Sequence, residues 1–223
     1  MLTGYRQQLL TSSNTRMINR LERYFTDLER LASSFLIRRT NVNRRIERYA
    51  RILGAIQAEE DLYISTSPLQ LDQQDRAEVL DALDGDVYNM NVRARSYILL
   101  RLDRQLSADP AYFNRDLNPT VEHVLPQAPK TTSNWCSIFT QQDREALTNK
   151  LGNLALLTRN KNSEASNYEF AKKRDGYFAG QKGFTNYALT VSVLAHKGDW
   201  TPQIIRDRQE TFIGTLSKLW RLA

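Results

Sequence analysis

Cysteine is nearly absent from this chain. Cys136 is the only one in 223 residues, which excludes an internal disulfide framework and a cysteine-built zinc site. Apolar runs are only a few residues long, so no segment is expected to span a bilayer. The first residues, Met-Leu-Thr-Gly-Tyr-Arg, lack the apolar centre of a secretory signal. These absences together predict a reducing, cytoplasmic setting and no membrane partner. Histidine is scarce too, with only His123 and His196. There is no P-loop pattern, no internal repeat and no low-complexity tract. What remains is ordinary for a globular protein: 41% apolar and 25% charged residues, in a chain long enough to bury a real core.

Charge is unevenly placed. Residues 1–56 contain no lysine, and eleven arginines against four acids leave them at +7. Residues 57–110 carry five arginines against eleven acids, a balance of −6, and residues 111–223 return to +5. The two outer segments suit a polyanion and the middle one does not, although a solvated helix face explains such an excess equally well.

Periodicity makes the first half helical. Ile18, Leu21, Phe25, Leu28, Ala32 and Phe35 form one apolar stripe over residues 15–35. Asn41 can cap a second helix whose buried face is expected at Val42, Ile46, Tyr49, Leu53 and Ile56, with Arg44, Arg45, Arg48 and Arg51 largely opposite. Thr66-Ser-Pro68 is a break, and helices follow over about 72–83 and 92–106. After Ser107 the character changes. Asp109-Pro110 and Asn118-Pro119 punctuate a linker, and Thr120 to Leu125 is β-branched enough for a strand. A helix over 140–149, a turn at Leu151-Gly152, a strand over 154–158 and a helix over 163–175 come next. A last helix starts at Thr201-Pro202 and turns Ile205, Phe212, Leu216 and Leu219 inward. The expected fold is mainly α: a helical part over 1–115, then a small ββα core with a C-terminal helix over 116–223.

The order strand, loop, strand, helix is that of a ββα metal finger, and its residues suit phosphodiester hydrolysis. Neutral imidazole is the side chain best matched to taking a proton near pH 7, and His123 stands at a strand end. Mg²⁺ wants hard oxygen ligands and keeps several waters, so Glu122 and Asn162 are enough protein. On an ideal strand Glu122 and His123 point to opposite faces, so one site needs the strand to end or twist there. Asn153, following Gly152, can hold a neighbouring loop through its amide and fix the backbone near His123. Lys161, Lys172, Lys173 and Arg174 are placed to hold phosphates, as are Arg44 and Arg45 in the first basic segment. Blander readings stand beside these. Asn153 serves equally as a turn residue, Asn160 and Asn162 as caps, and Leu154 to Leu157 as plain core. Trp135, Trp200 and Trp220 read as core anchors. His196 reads as exposed and incidental.

Glu122-His-Val-Leu-Pro-Gln127, Gly152-Asn-Leu154 and Asn162 together resemble the His-Asn-Asn variant of HNH (His-Me finger) nucleases. The fuller resemblance is to the C-terminal nuclease domain of GmrSD-type modification-dependent restriction enzymes, with a related domain in SspE-type phage-defence proteins. It is carried by Trp135, Leu151-Gly-Asn-Leu154, Ser166-Asn167, Phe170, Lys173, Trp200, Ile205 and Arg208, over about residues 120–220. The resemblance implies His123 as general base and Asn162 as metal ligand. It puts Glu122 where many HNH enzymes carry Asp, and Asn153 at the middle position. It implies Mg²⁺ or Mn²⁺ as cofactor, DNA as substrate, and an N-terminal nucleotide-hydrolysing, modification-sensing partner domain. The expected function is a metal-dependent DNA endonuclease in restriction or phage defence. The alternatives are a DNA-binding module with an inactive finger and an all-helical interaction domain.

Overall fold

The computed structural model describes residues 2–107, 119–157, 167–179 and 187–223, with side chains from residue 14 onward. The expected boundary at 115/116 and the residues Lys161 and Asn162 lie outside them. The protein is mainly helical, and its described residues divide into two compact units, 1–79 and 80–223. No helix is long and apolar enough to cross a membrane.

The first unit contains helices α1 (Leu2–Ile37) and α2 (Val42–Gln57) and the start of α3 (Gln73–Asp84). The Asn41 side chain caps α2 by accepting from Asn43 N. The faces that α1 and α2 bury differ from the apolar stripes. Ile18, Leu21 and Phe25 are exposed, as are Val42, Ile46, Leu53 and Ile56. Asp27, Arg30, Leu31 and Ser34 of α1 are buried instead, with Ile52 and Ala55 of α2. The cause is a buried polar network, hydrogen-bonded except at Asp27 Oδ1 and Arg30 Nε. Arg30 donates to Gln70 Oε1, and Gln70 Nε2 donates to Asp27 Oδ2 at 3.0 Å and to Leu62 O at 2.9 Å. A buried charge that is paired and hydrogen-bonded can displace an apolar side chain from the inner face. On α2, Arg48 donates to Pro68 O and Gln70 O, which turns its own face toward that loop.

The second unit has a conventional core. Val124, Leu125, Trp135, Phe139, Phe170, Phe178, Val193, Trp200 and Ile205 belong to one buried cluster. All three tryptophans are buried, as their reading as anchors requires. Helix α4 (Val92–Leu106), capped by the Asn91 side chain, buries Ala94, Ile98, Leu99 and Leu102. Strands β1 (Thr120–His123) and β2 (Leu154–Leu157) pair antiparallel, with Thr120 opposite Leu157 and His123 opposite Leu154. Between them lie α5 (Asn134–Ile138), α6 (Gln141–Leu147) and a 3-10 turn at Leu151–Asn153. A capping box of Thr140 and Asp143 starts α6.

After β2 the next described helix, α7 (Phe170–Lys172), runs directly into a π-helical stretch, Lys173–Phe178. Of the helix expected over 163–175, residues 163–166 lie outside the described ones, 167–169 are not helical, and 170–175 are, after Glu169 in extended conformation. A short helix that the periodicity does not mark, α8 (Ala188–Leu194), follows. Its Thr190 hydroxyl donates to Leu156 O at 2.6 Å and accepts from Leu156 N at 3.1 Å, which satisfies the outer edge of β2. Helix α9 (Pro202–Trp220) begins with Thr201 as cap and Pro202 in the first turn, and buries Ile205, Phe212, Leu216 and Trp220.

Candidate active site

β1 ends at His123, and the chain turns there because Asn153 catches it. Asn153 is fully buried. Its Oδ1 accepts from Leu125 N at 2.8 Å, and its Nδ2 donates to Leu125 O at 3.0 Å and to Thr148 O at 2.8 Å. Its backbone oxygen accepts from Val124 N at 2.9 Å. One amide side chain thus closes the loop after His123 against the turn before β2. That turn is held from behind by α9. Gly152 N donates to Gln209 Oε1 at 2.8 Å, and Gly152 O accepts from Arg208 Nε at 2.8 Å. A Cβ on Gly152 would meet Ile205 O at 2.3 Å, so only glycine permits this approach. Arg208 lies against the rings of Trp200 and Phe212, and burial lowers it to about 9.

His123 is 7% exposed, with its ring 4.1 Å from that of Tyr88. Its Nε2 lies 3.2 Å from Asn149 Oδ1. An amide oxygen only accepts, so Nε2 carries the proton and Nδ1 is left as the lone-pair nitrogen. Burial pushes the imidazole down to about 4; the Asn149 bond opposes this, and the positive charges of Lys173 and Arg95 add to it. His123 is therefore neutral at pH 7.

Glu122 meets a different set of partners. Its Oε1 accepts from Lys173 Nζ at 2.7 Å, and the same ammonium donates to His123 O at 2.6 Å. Lys173 is wholly buried at the first position of the π-helical stretch. Burial raises the carboxyl and lowers the ammonium, while each pulls the other back. The short separation and the ammonium's second hydrogen bond favour the ion pair against that burial. Adjacent strand positions thus send Glu122 to Lys173 and His123 to Tyr88 and Asn149, while both stay at the strand end.

A family model described as GmrSD restriction endonucleases, C-terminal domain, matches residues 73–215, more than half of the chain. The chain belongs to this family. No curated protein and no solved structure matches it.

Within this GmrSD C-terminal domain, the remaining expected site residues are spread out. Lys172 sits 3.5 Å over the Tyr168 ring. Arg174 is engaged with Asp175 at 2.7 Å and with Lys197 O at 3.3 Å. Lys173, grouped by sequence with the phosphate-holding lysines, has no exposed surface and is spent on Glu122. Arg44 and Arg45 belong to the first unit. His196 bonds Asp199 O at 2.9 Å and packs near Phe170 and Trp200, within the core's edge. Among the described residues, no three or more His, Cys, Asp or Glu side chains gather as a metal site. Of the two expected ligands Asn162 lies outside the described residues, and Glu122 has one oxygen held by Lys173, which leaves the other as a hard donor.

Sequence reasoning missed Tyr88, Asn149 and Lys173 as neighbours of the strand end. Lys173 had a signal, because it stands three residues after the buried Phe170 and so shares its helix face. Tyr88 and Asn149 had none, being 35 and 26 residues away from His123 in the chain.

Proposed function

We propose that this domain is a metal-dependent DNA endonuclease of the His-Me finger type, the effector of a restriction or phage-defence system. The observation that carries this is the contact of His123 Nε2 with Asn149 Oδ1 at 3.2 Å, which assigns the proton to Nε2 and the lone pair to Nδ1. In the proposed reaction Nδ1 takes the proton of the water that attacks phosphorus. Asn149 Oδ1 then stabilises the imidazolium through the Nε2 proton. Asn153 acts as a positioning residue, since it fixes the backbone that leaves His123. Lys172 and Arg174, with Lys161, would bracket the flanking phosphates. Glu122 and Asn162 would hold Mg²⁺ or Mn²⁺, which when bound supplies Lewis-acid stabilisation of charge on the phosphate and the leaving oxygen. A nucleotide-hydrolysing, modification-sensing partner domain would direct cleavage to its target DNA.

Plasmid DNA incubated with the chain and Mg²⁺ or Mn²⁺ should be nicked or cut. His123→Ala should slow this by about 10²–10⁴-fold with the fold retained. Unchanged cleavage in that variant would remove His123 from the mechanism.

One observation favours a second reading, a DNA-binding module with a structural finger: Glu122 is already neutralised by Lys173. Salt-dependent DNA binding with no strand breakage in either metal would select it.

A further inference from the structure

The first unit holds a groove of about 410 Å³ lined by Arg38, Arg39, Arg44, Arg48 and Arg51, with Glu47, Asp75, Glu78 and the start of α2. Five guanidiniums face three carboxylates. Two of those carboxylates are already spent on two of the arginines. Arg38 pairs with Asp75 and, at 2.6 Å, with Glu78; Arg48 lies 3.6 Å from Asp75. These pairs fix the floor of the groove. Arg44 and Arg51 make no hydrogen bond or close ion pair among the described residues, and both are exposed, although the Arg44 charge also acts on Glu78. They are seven residues apart on one face of α2, about 10 Å along its axis, so each can hold its own phosphate.

Arg39 adds a separate argument. It ends α1 with φ 54°, where Thr40 N reaches back to Phe35 O at 2.9 Å. Glycine is the usual residue at such a position, and any other costs on the order of 1 kcal/mol. The chain tolerates that cost and gains a guanidinium at the groove wall. The first turn of α2 contains no acid to oppose an anion. Phe35, the one apolar residue of the lining, is itself buried, so the groove offers no surface to a base or an apolar ligand.

We propose that this groove is a second DNA contact, a clamp for backbone phosphates of duplex DNA, separate from the strand end at His123. Arginine suits it because its planar fork bonds phosphate oxygens in pairs. The clamp reads charge and spacing and carries no sequence preference. The proposal assigns Arg44 and Arg51 to DNA and leaves Arg45, which does not line the groove, out. It rests on DNA being the substrate but not on cleavage.

The test is binding of a labelled 20-base-pair duplex to the full chain in EDTA, across a salt series. Arg44→Ala with Arg51→Ala should weaken binding about 10–100-fold and flatten the log–log salt slope by about two. Arg16→Ala with Arg20→Ala removes the same charge from a different groove of the unit and should weaken it less than about threefold. Equal losses from the two double variants would mean a diffuse field and would overturn the clamp, as would no loss from either. Titration with a nucleoside triphosphate is the third arm. If Arg44→Ala with Arg51→Ala abolishes triphosphate binding but spares duplex binding, the groove is a nucleotide site and the proposal fails. Duplex binding that depends on Arg44 and Arg51 in a chain that never cuts plasmid would leave the clamp standing and sink the endonuclease reading instead.

Discussion

The two units both bury polar side chains, but they differ in the apolar residues they bury and leave exposed. Unit 80–223 is organised by aromatics: Trp135, Phe139, Phe170, Trp200 and Trp220 are all inside, and among the described residues only Val92 and Val191 are large apolar side chains left exposed. Unit 1–79 buries Asp27, Arg30 and Gln70 beside its aliphatic residues, and leaves nine large apolar side chains exposed, from Met17 to Ile64. The comparison teaches that an apolar stripe marks a buried face only where nothing better is on offer. A network such as Arg30–Gln70–Asp27 pairs most of its polar atoms, leaving Asp27 Oδ1 and Arg30 Nε without hydrogen bonds, and it occupies the inside while the stripe faces outward.

Phenylalanine substitutions sharpen that contrast. Phe139→Ala should cost about 4 kcal/mol of stability in unit 80–223, by lost burial and a cavity. Phe25, 60% exposed, should cost less than about 0.5 kcal/mol when changed to Ala. Denaturant unfolding measures both, and similar costs would show that the α1 stripe is covered after all. Next in size, Asn153→Ala should cost about 3 kcal/mol, since it strands three buried backbone partners. Cleavage should fall further than the lost stability explains, because the loop after His123 is released. In unit 1–79, Gln70→Leu should cost about 2 kcal/mol, although it puts an apolar residue at a buried position. A stabilised Gln70→Leu protein would show that the buried polar network is not what turns α1.

The same contrast explains what the chain reveals before folding. Asn41 and Thr201-Pro202 mark helix starts because caps act locally, within three residues. Strand β1 and the turn at Gly152 are legible for a similar reason, since β-branched residues and glycine speak for their own backbone, whereas β2 reads only as a short apolar run after that turn. The inner faces of α1 and α2 are not legible, because they depend on Gln70, forty residues beyond Arg30. The short helices α5 and α8 lack the length for a periodic signal. At the candidate site, the spacing of Glu122, His123 and Asn153 is visible in the chain. The partners that set their chemistry, Tyr88, Asn149 and Lys173, come from three other segments and are assembled only by folding.

The central claim is that burial keeps His123 neutral, with its proton on Nε2. A histidine held down to about 4 contributes its full stability above the unfolded value near 6.5 and loses it as the pH falls from there toward 4. The most direct measurement is ¹⁵N NMR of the imidazole rings from pH 8 to pH 5, with His196→Gln to leave His123 as the one signal. The account predicts a ring that stays neutral down to about pH 5, in the Nε2–H tautomer. A midpoint near 6.5, or a proton on Nδ1, would contradict it.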